Sequence, residues 1–336
     1  MWNPLFNNTD IFTRNKIDCA NFEKNKDKIK KQAEQLLNES GFCIFSNTDI
    51  KESSQVMKYF SLIVKENFSY EGGSFARKKL ADNVYDTGCP NYCLLAPHIE
   101  MSYNPVMPKY LSLTCLESPH NGTGATMFSD NVSITKKMLK TKLGQKLKNL
   151  GIRHYRRLHS DMDKTYPDAV KYSSWQVSYE TNSKEKVEEY LRKSNQIFSW
   201  GKNDMLSIIN PQEAYMYYEK TDSNLLFFGP SNHASMFDSY SVDFQKLDDD
   251  LRAFTLKFGD DSEFTNDEVL ELHKFFDEDS YQCFYEEGEM MIIDNMMWQH
   301  GRLPFAVAPG KTRNIAVTLG DKYFPDKSRD DKWYPH

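Results

Sequence analysis

The sequence predicts a fold of short β-strands with helices added, either α+β or all-β with helical additions. Strand-like apolar runs stand near both ends of the 336-residue chain, at 42–47 and again at 290–293 and 313–319. Helical stretches lie between them, separated by short runs broken at Pro and Gly, which is the texture of strands and turns. No G-x-G-x-x-G follows a strand and opens a helix, so a Rossmann sheet is disfavoured. No repeat, low-complexity tract or Pro/Ser linker divides the chain, and one domain over 1–336 is expected. Apolar residues at 39% and aromatics at 14% suffice for a sizeable core and suit strands and ligand pockets.

Residues 23–39, preceded by Phe22, have helical character, and Gly41 stops the helix before "FCIFSN" (42–47), a short buried strand. A second helix is expected over 51–67. From Leu80 to Cys115 the chain is punctuated by Gly88, Pro90, Pro97, Pro105 and Pro108, as strands and turns require. A Lys-rich helix follows at 133–149, then strands at 152–158 and 173–180. A helix at 183–193 has Ser183 as N-cap and acidic-to-basic pairs near i,i+4. Strands recur at 205–209, 213–219 and 224–228, and a further helix covers 265–277. Gly288 and Glu289 then make a turn, Met290–Ile293 a buried strand, and Asp294-Asn295 break it ahead of a polar, aromatic loop holding His300.

With 42 basic and 48 acidic residues the net charge is −6, which argues against a nucleic-acid footprint. Lys runs such as "EKNKDKIKKQ" are interspersed with acids and read as a solvated helix face. No run of about 18 apolar residues offers a membrane span, and the start lacks a secretory pattern. Six cysteines show no CxxC pair, so free thiols in a reducing compartment are the default and a cytoplasmic protein is expected.

The segment "PHIEMSY" (97–103) places His98 two residues before Glu100. In a strand, i and i+2 share a face, so an imidazole and a carboxylate stand side by side with Ile99 turned away. That pair is either two corners of a mononuclear metal site or a buried His satisfied by its neighbour. His300, past Trp298, is a candidate third corner. Arg313 heads an apolar strand (Ile315, Val317, Leu319), where an arginine is expensive unless it is paired or anchors an anionic ligand.

Together these residues spell His-x-Glu, then His, then Arg, and the sequence resembles the iron(II)/2-oxoglutarate-dependent dioxygenases of the TauD/TfdA family. The glutamate in place of the commoner aspartate points to the clavaminate synthase-like branch. "GFCIFSN", "HIEMSY", "GTGATMFSDN", "SSWQVSYETNSKEKVEEYLRK" and "GEMMIIDNMMWQHGRLPF" with "KTRNIAVTL" resemble the family's motifs in order, over about residues 25–322.

The resemblance implies a double-stranded β-helix (jelly roll) core with flanking α-helices and a helical insertion between core strands, at about 133–240. It implies Fe(II) held by His98, Glu100 and His300, leaving positions for 2-oxoglutarate and O2. Arg313 would clamp the distal carboxylate of 2-oxoglutarate, where a planar bidentate fork favours Arg over Lys. Thr126 would assist, unless it is an ordinary β-branched strand residue. The implied reaction is oxidative decarboxylation to succinate and CO2 coupled to oxidation of an unactivated C–H bond. The outcome is hydroxylation or, as the alternative, desaturation or oxidative cyclisation, such as kainoid-type ring closure on an N-prenylated glutamate. An intact Glu100 argues against halogenation.

Substrate-side candidates are Arg77, either a partner for a substrate carboxylate or a solvated arginine beside Lys78 and Lys79, together with Asn83 and Tyr103. Asn232 and His233 in "GPSNHASMFDSY" (229–240) resemble a family segment, though a lone His is more often structural. Arg302 is either a substrate contact or a surface arginine at the site mouth. The expected partner is a small molecule, an amino acid or a derivative. Two other classes compete: a non-catalytic metal- or ligand-binding relative, and a zinc hydrolase on the same three ligands, which makes no use of Arg313.

Overall fold

A computed structural model describes residues 10–73, 77–88, 91–118, 122–165, 173–233, 252–307 and 309–333. The tail of the 229–240 segment, after His233, lies outside the described residues. The strands Phe42–Ser46, Met290–Asp294, Met107–Glu117 and Asn314–Tyr323 pair in that order as the centre of a seven-stranded sheet. A four-stranded sheet, ordered Ser280–Cys283, Thr126–Asp130, Trp298–Arg302, Leu95–His98, shares its core. These two sheets form the jelly-roll core.

The alternation of side chains explains why these strands read as unbroken apolar runs. Phe42, Ile44, Met291, Ile293, Val317 and Leu319 face the four-stranded sheet and meet Ala96, Phe128 and Trp298 there. The intervening Cys43, Phe45, Met290, Ile292 and Ala316 face the other way, onto the helix Phe22–Ser40. A sheet covered on both faces has no polar face to display. The helix buries Phe22, Ile29, Ala33 and Leu37, and each large side chain contributes roughly 1.5–3 kcal/mol. It ends at Gly41, whose φ is 77° and whose N–H bonds Leu37 O at 3.1 Å. A Cβ at Gly41 would lie 2.9 Å from Trp298 Cδ1, so any side chain there meets both a strained backbone and the indole.

The stretch between Asp130 and Ser280 carries more than helices. Phe254–Phe258, Ile152–Leu158, Leu206–Gln212 and Ile197–Trp200 form an antiparallel sheet of their own, with the helices Asn131–Met138, Lys142–Leu150, Lys184–Lys193 and Asn266–Glu278 packed around it. Several expected elements differ, here and nearer the N-terminus. Residues 173–180 form not a strand but the short helix Trp175–Ser178, because the Ser174 hydroxyl accepts from Val177 N and caps it. The helix expected over 51–67 shrinks to a 3-10 turn at Ser53–Gln55 and the helix Val56–Phe60. The Lys-rich helix splits in two where Thr141 starts a new one, its hydroxyl accepting from Gly144 N. No described helix is long and apolar enough to cross a membrane.

Candidate functional site

His300 was expected in a loop; it lies within the strand Trp298–Arg302, directly opposite His98 across the ladder. Their rings stand 4.3 Å apart between centroids. The other correction concerns Glu100. The strand ends at His98, Ile99 enters the core, and Glu100 opens a turn continued by Met101 at φ 60°. The turn still brings the carboxylate to the imidazoles: Glu100 Oε2 is 3.8 Å from His98 Nε2 and 3.6 Å from His300 Nε2. One donor atom from each of the three lies within 4.8 Å of the others.

What fixes the turn is Asn295, which the sequence reading treated only as a strand breaker. Its Oδ1 accepts from Glu100 N at 2.9 Å, and its Nδ2 donates to Glu100 O at 3.0 Å and to Pro108 O at 2.9 Å. The polar Asp294-Asn295 pair after four apolar residues is the signal that could have found it. His98 Nδ1 lies 3.0 Å from Ala96 O; with that nitrogen as donor, Nε2 is the basic one and faces the cluster. Gly229 lets the 229–232 turn lie against this strand, since a Cβ there would come within 2.4 Å of Pro97 O.

Burial alone would raise the Glu100 carboxyl, but the Arg77 guanidinium and the two imidazoles more than offset it and hold the group well below the usual carboxylate range. Burial, with His98 beside it, pushes His300 down to about 4. At neutral pH the cluster is therefore a carboxylate with a neutral His300, a state suited to coordinating a divalent cation.

Arg77 is not a solvated arginine. Its side chain is 10% exposed, its Nη2 donates to Glu100 Oε2 at 2.8 Å, and its guanidinium lies 4.5 Å over the Tyr70 ring. Tyr103 is buried close by, between Phe254 at 5.4 Å and the Arg156 guanidinium at 4.5 Å. Arg302 is not at the surface either: it is 4% exposed, and its Nη2 donates to Cys93 O at 3.0 Å. Arg302 neighbours Arg313, which precedes the strand Asn314–Tyr323, donates from Nε to Gly124 O at 3.0 Å, and is pushed down to about 10 by burial and by Arg302. Thr126 pairs in register with Arg302 and shares a side-chain hydrogen bond with buried Tyr285, a residue no sequence motif singled out.

The remaining candidates, Asn83, Asn232 and His233, lie on turns. Asn83 takes a turn conformation at φ 54° and donates from Nδ2 to Leu319 O at 2.9 Å. Asn232 folds back on its own turn, accepting from Gly229 N at 2.9 Å. His233 packs edge-on against Phe264 at 5.6 Å. None of these contacts reaches the His98–Glu100–His300 cluster.

Residues 3–319 match the family described as taurine catabolism dioxygenase TauD, TfdA family. The dapdiamide synthesis protein DdaC of Enterobacter agglomerans is 23% identical over 87% of this chain and 85% of its own. A clavaminate synthase-like protein of Arabidopsis thaliana is 23% identical over 82% of this chain and 81% of its own. A taurine dioxygenase structure from Burkholderia xenovorans superposes with a TM-score of 0.52 at 11% identity, over 91% of this chain and 83% of that one. The chain belongs to the TauD, TfdA family and is an oxidoreductase, a dioxygenase dependent on Fe(II), 2-oxoglutarate and O2.

Proposed function

We propose that the protein oxidises an unactivated C–H bond of an amino acid or amino-acid-derived small molecule, with hydroxylation as the outcome. His98, Glu100 and His300 would hold the iron. The donor set fits: two imidazole nitrogens and one carboxylate oxygen, each from a different residue and converging on one point, are the facial triad of non-haem iron oxygenases. When bound, the metal with its co-substrate supplies the oxidising power.

The observation that carries the reading is Arg313. Among the described residues no carboxylate pairs with it, and its neighbour is a second cation, Arg302. A half-buried arginine in that position is matched to an anion from outside the chain. Thr126 opposite Arg302 sits two residues along the strand from Phe128, which is opposite His300. Two strand residues span roughly 7 Å, a separation a five-carbon dicarboxylate bridges with one end at the metal and the other at Arg313. Arg313 would bind and orient that carboxylate, Thr126 would add a hydroxyl donor, and Asn295 would keep Glu100 aimed. The aromatic walls at Tyr70 and Tyr103 would exclude water from the side where the organic substrate enters.

The polar and aromatic character of that side, and a relative named for dapdiamide synthesis, support an amino-acid-like substrate. The test is succinate formation by purified protein with Fe(II), 2-oxoglutarate and O2 across a panel of amino acids and N-alkylated amino acids, with product masses recorded. A gain of one oxygen supports hydroxylation. A loss of two hydrogens replaces it with desaturation or ring closure. Succinate that no amino-acid-like compound stimulates would sink the substrate class.

A further inference from the structure

Arg77 has a position that its role as a surface or substrate arginine does not explain. Its Nη2 donates to Glu100 Oε2 at 2.8 Å, and that is the same oxygen that lies 3.6 and 3.8 Å from the two imidazole Nε2 atoms. The carboxylate oxygen aimed at the centre of the triad is therefore already engaged by a cation. Donors that share one metal ion at ~2.0–2.2 Å each, at neighbouring corners, approach one another to about 3 Å. Glu100 Oε2 stands further from both imidazoles than that, on the Arg77 side. Glu100 is 2% exposed, so without a cation beside it a buried charge would be left uncompensated.

We propose that Arg77 and the metal ion are alternate partners of Glu100 Oε2. In the metal-free protein the guanidinium takes the place of the cation: it neutralises the carboxylate and holds the turn at 99–101 in shape. A divalent ion arriving at the same oxygen meets both competition for its lone pairs and repulsion from a charge one hydrogen bond away. Loading the metal requires Arg77 to leave Oε2, and the Tyr70 ring, over which the guanidinium already lies at 4.5 Å, keeps a contact for its charge. The latch rests on the assignment of His98, Glu100 and His300 as the metal site.

The arrangement has a quantitative consequence. The apparent dissociation constant of a ligand is its intrinsic value divided by the fraction of protein in the binding-competent state. A latch closed nine times in ten or more weakens apparent metal affinity about tenfold or more. The experiment is calorimetric titration of metal-free protein with Mn(II), without 2-oxoglutarate or substrate, on the wild type, Arg77→Gln and His300→Ala. Arg77→Gln should bind Mn(II) about tenfold more tightly than the wild type, while its metal-free form melts at a lower temperature. Unchanged or weaker binding by Arg77→Gln overturns the latch, because an arginine that merely supports the outer carboxylate oxygen would weaken binding when removed. If His300→Ala binds as tightly as the wild type, the ion is not at the triad and the assignment beneath the latch falls instead.

A second measurement uses the wild type alone, should Arg77→Gln fail to fold. Modification of Arg77 by phenylglyoxal, read by peptide mass, should be several-fold faster with saturating Mn(II) than without metal. An equal or slower rate with Mn(II) overturns the proposal.

Discussion

Arg77, bonded to a residue of the cluster, and Arg313, beside Arg302, are opposites. Arg77 has its charge matched by the chain itself, through Glu100 at 2.8 Å. Arg313 is bonded to a backbone carbonyl and faces a second arginine, so that burial and like charge push it down to about 10. The paired arginine has its counter-charge within the protein. The other has no carboxylate partner among the described residues, the feature on which its proposed role as an anion site rests. Two residues of one type, within one jelly roll, are thus told apart by which counter-charge each has.

Changes that collapse this contrast should have graded effects. Removing a corner of the triad is the largest: His300→Ala should cut succinate formation by on the order of a thousandfold, about 4 kcal/mol of barrier. Arg313→Gln should raise the KM for 2-oxoglutarate by roughly 10- to 100-fold, the loss of a charge-assisted pair, and leave Mn(II) affinity unchanged. Equal effects on both constants would mean that the two arginines are not separate in function. Asn295→Ala, which strips the clasp from Glu100, should weaken Mn(II) binding by about tenfold without altering the 2-oxoglutarate KM once metal is saturating.

The fourth expectation concerns acid. His300 is held down to about 4 by burial, against an unfolded value of about 6.5. Below that value the unfolded chain takes up a proton that the folded chain refuses. Stability of the metal-free protein is therefore lost progressively as pH falls from about 6.5 toward about 4. Urea midpoints measured between pH 7.5 and 5 should fall with pH. His154, buried in the separate sheet and pushed down to about 3 by burial and then by Arg156, adds to the slope, so His154→Asn should flatten it. A midpoint insensitive to pH contradicts both assignments. The smallest effect is Thr126→Val, which removes one neutral hydroxyl and should raise the 2-oxoglutarate KM about fivefold, or 1 kcal/mol.

The central strands were legible because they are buried on both faces, so that Phe42–Phe45 and Met290–Ile293 are apolar runs, while their jelly-roll arrangement was implied by the family resemblance. Histidine, glutamate and arginine were legible as types that are expensive to bury. What spacing could not supply was backbone direction. The i,i+2 rule put Glu100 on a strand, whereas the structure turns the chain at Ile99 and uses Asn295 from a distant segment to aim it. The polar, aromatic character after Asp294-Asn295 placed His300 in a loop and hid a strand whose pairing partners are remote. Arg77 stayed open between a partner for a substrate carboxylate and a solvated arginine, since local composition says nothing of a partner 23 residues on. Ser174 shows the reverse case: a cap of one hydrogen bond overrode the strand propensity of "SSWQVSYE".

The direct pairing of His98 with His300 also bears on the order in which the chain assembles. Strands so far apart in sequence meet only after the intervening chain has been confined, and loop closure of that length is a late and slow event. No partly folded form lacking either strand can present both imidazoles to an ion. With the iron held as proposed, by His98, Glu100 and His300, iron added during refolding should leave the rate unchanged, and added afterwards it should slow unfolding.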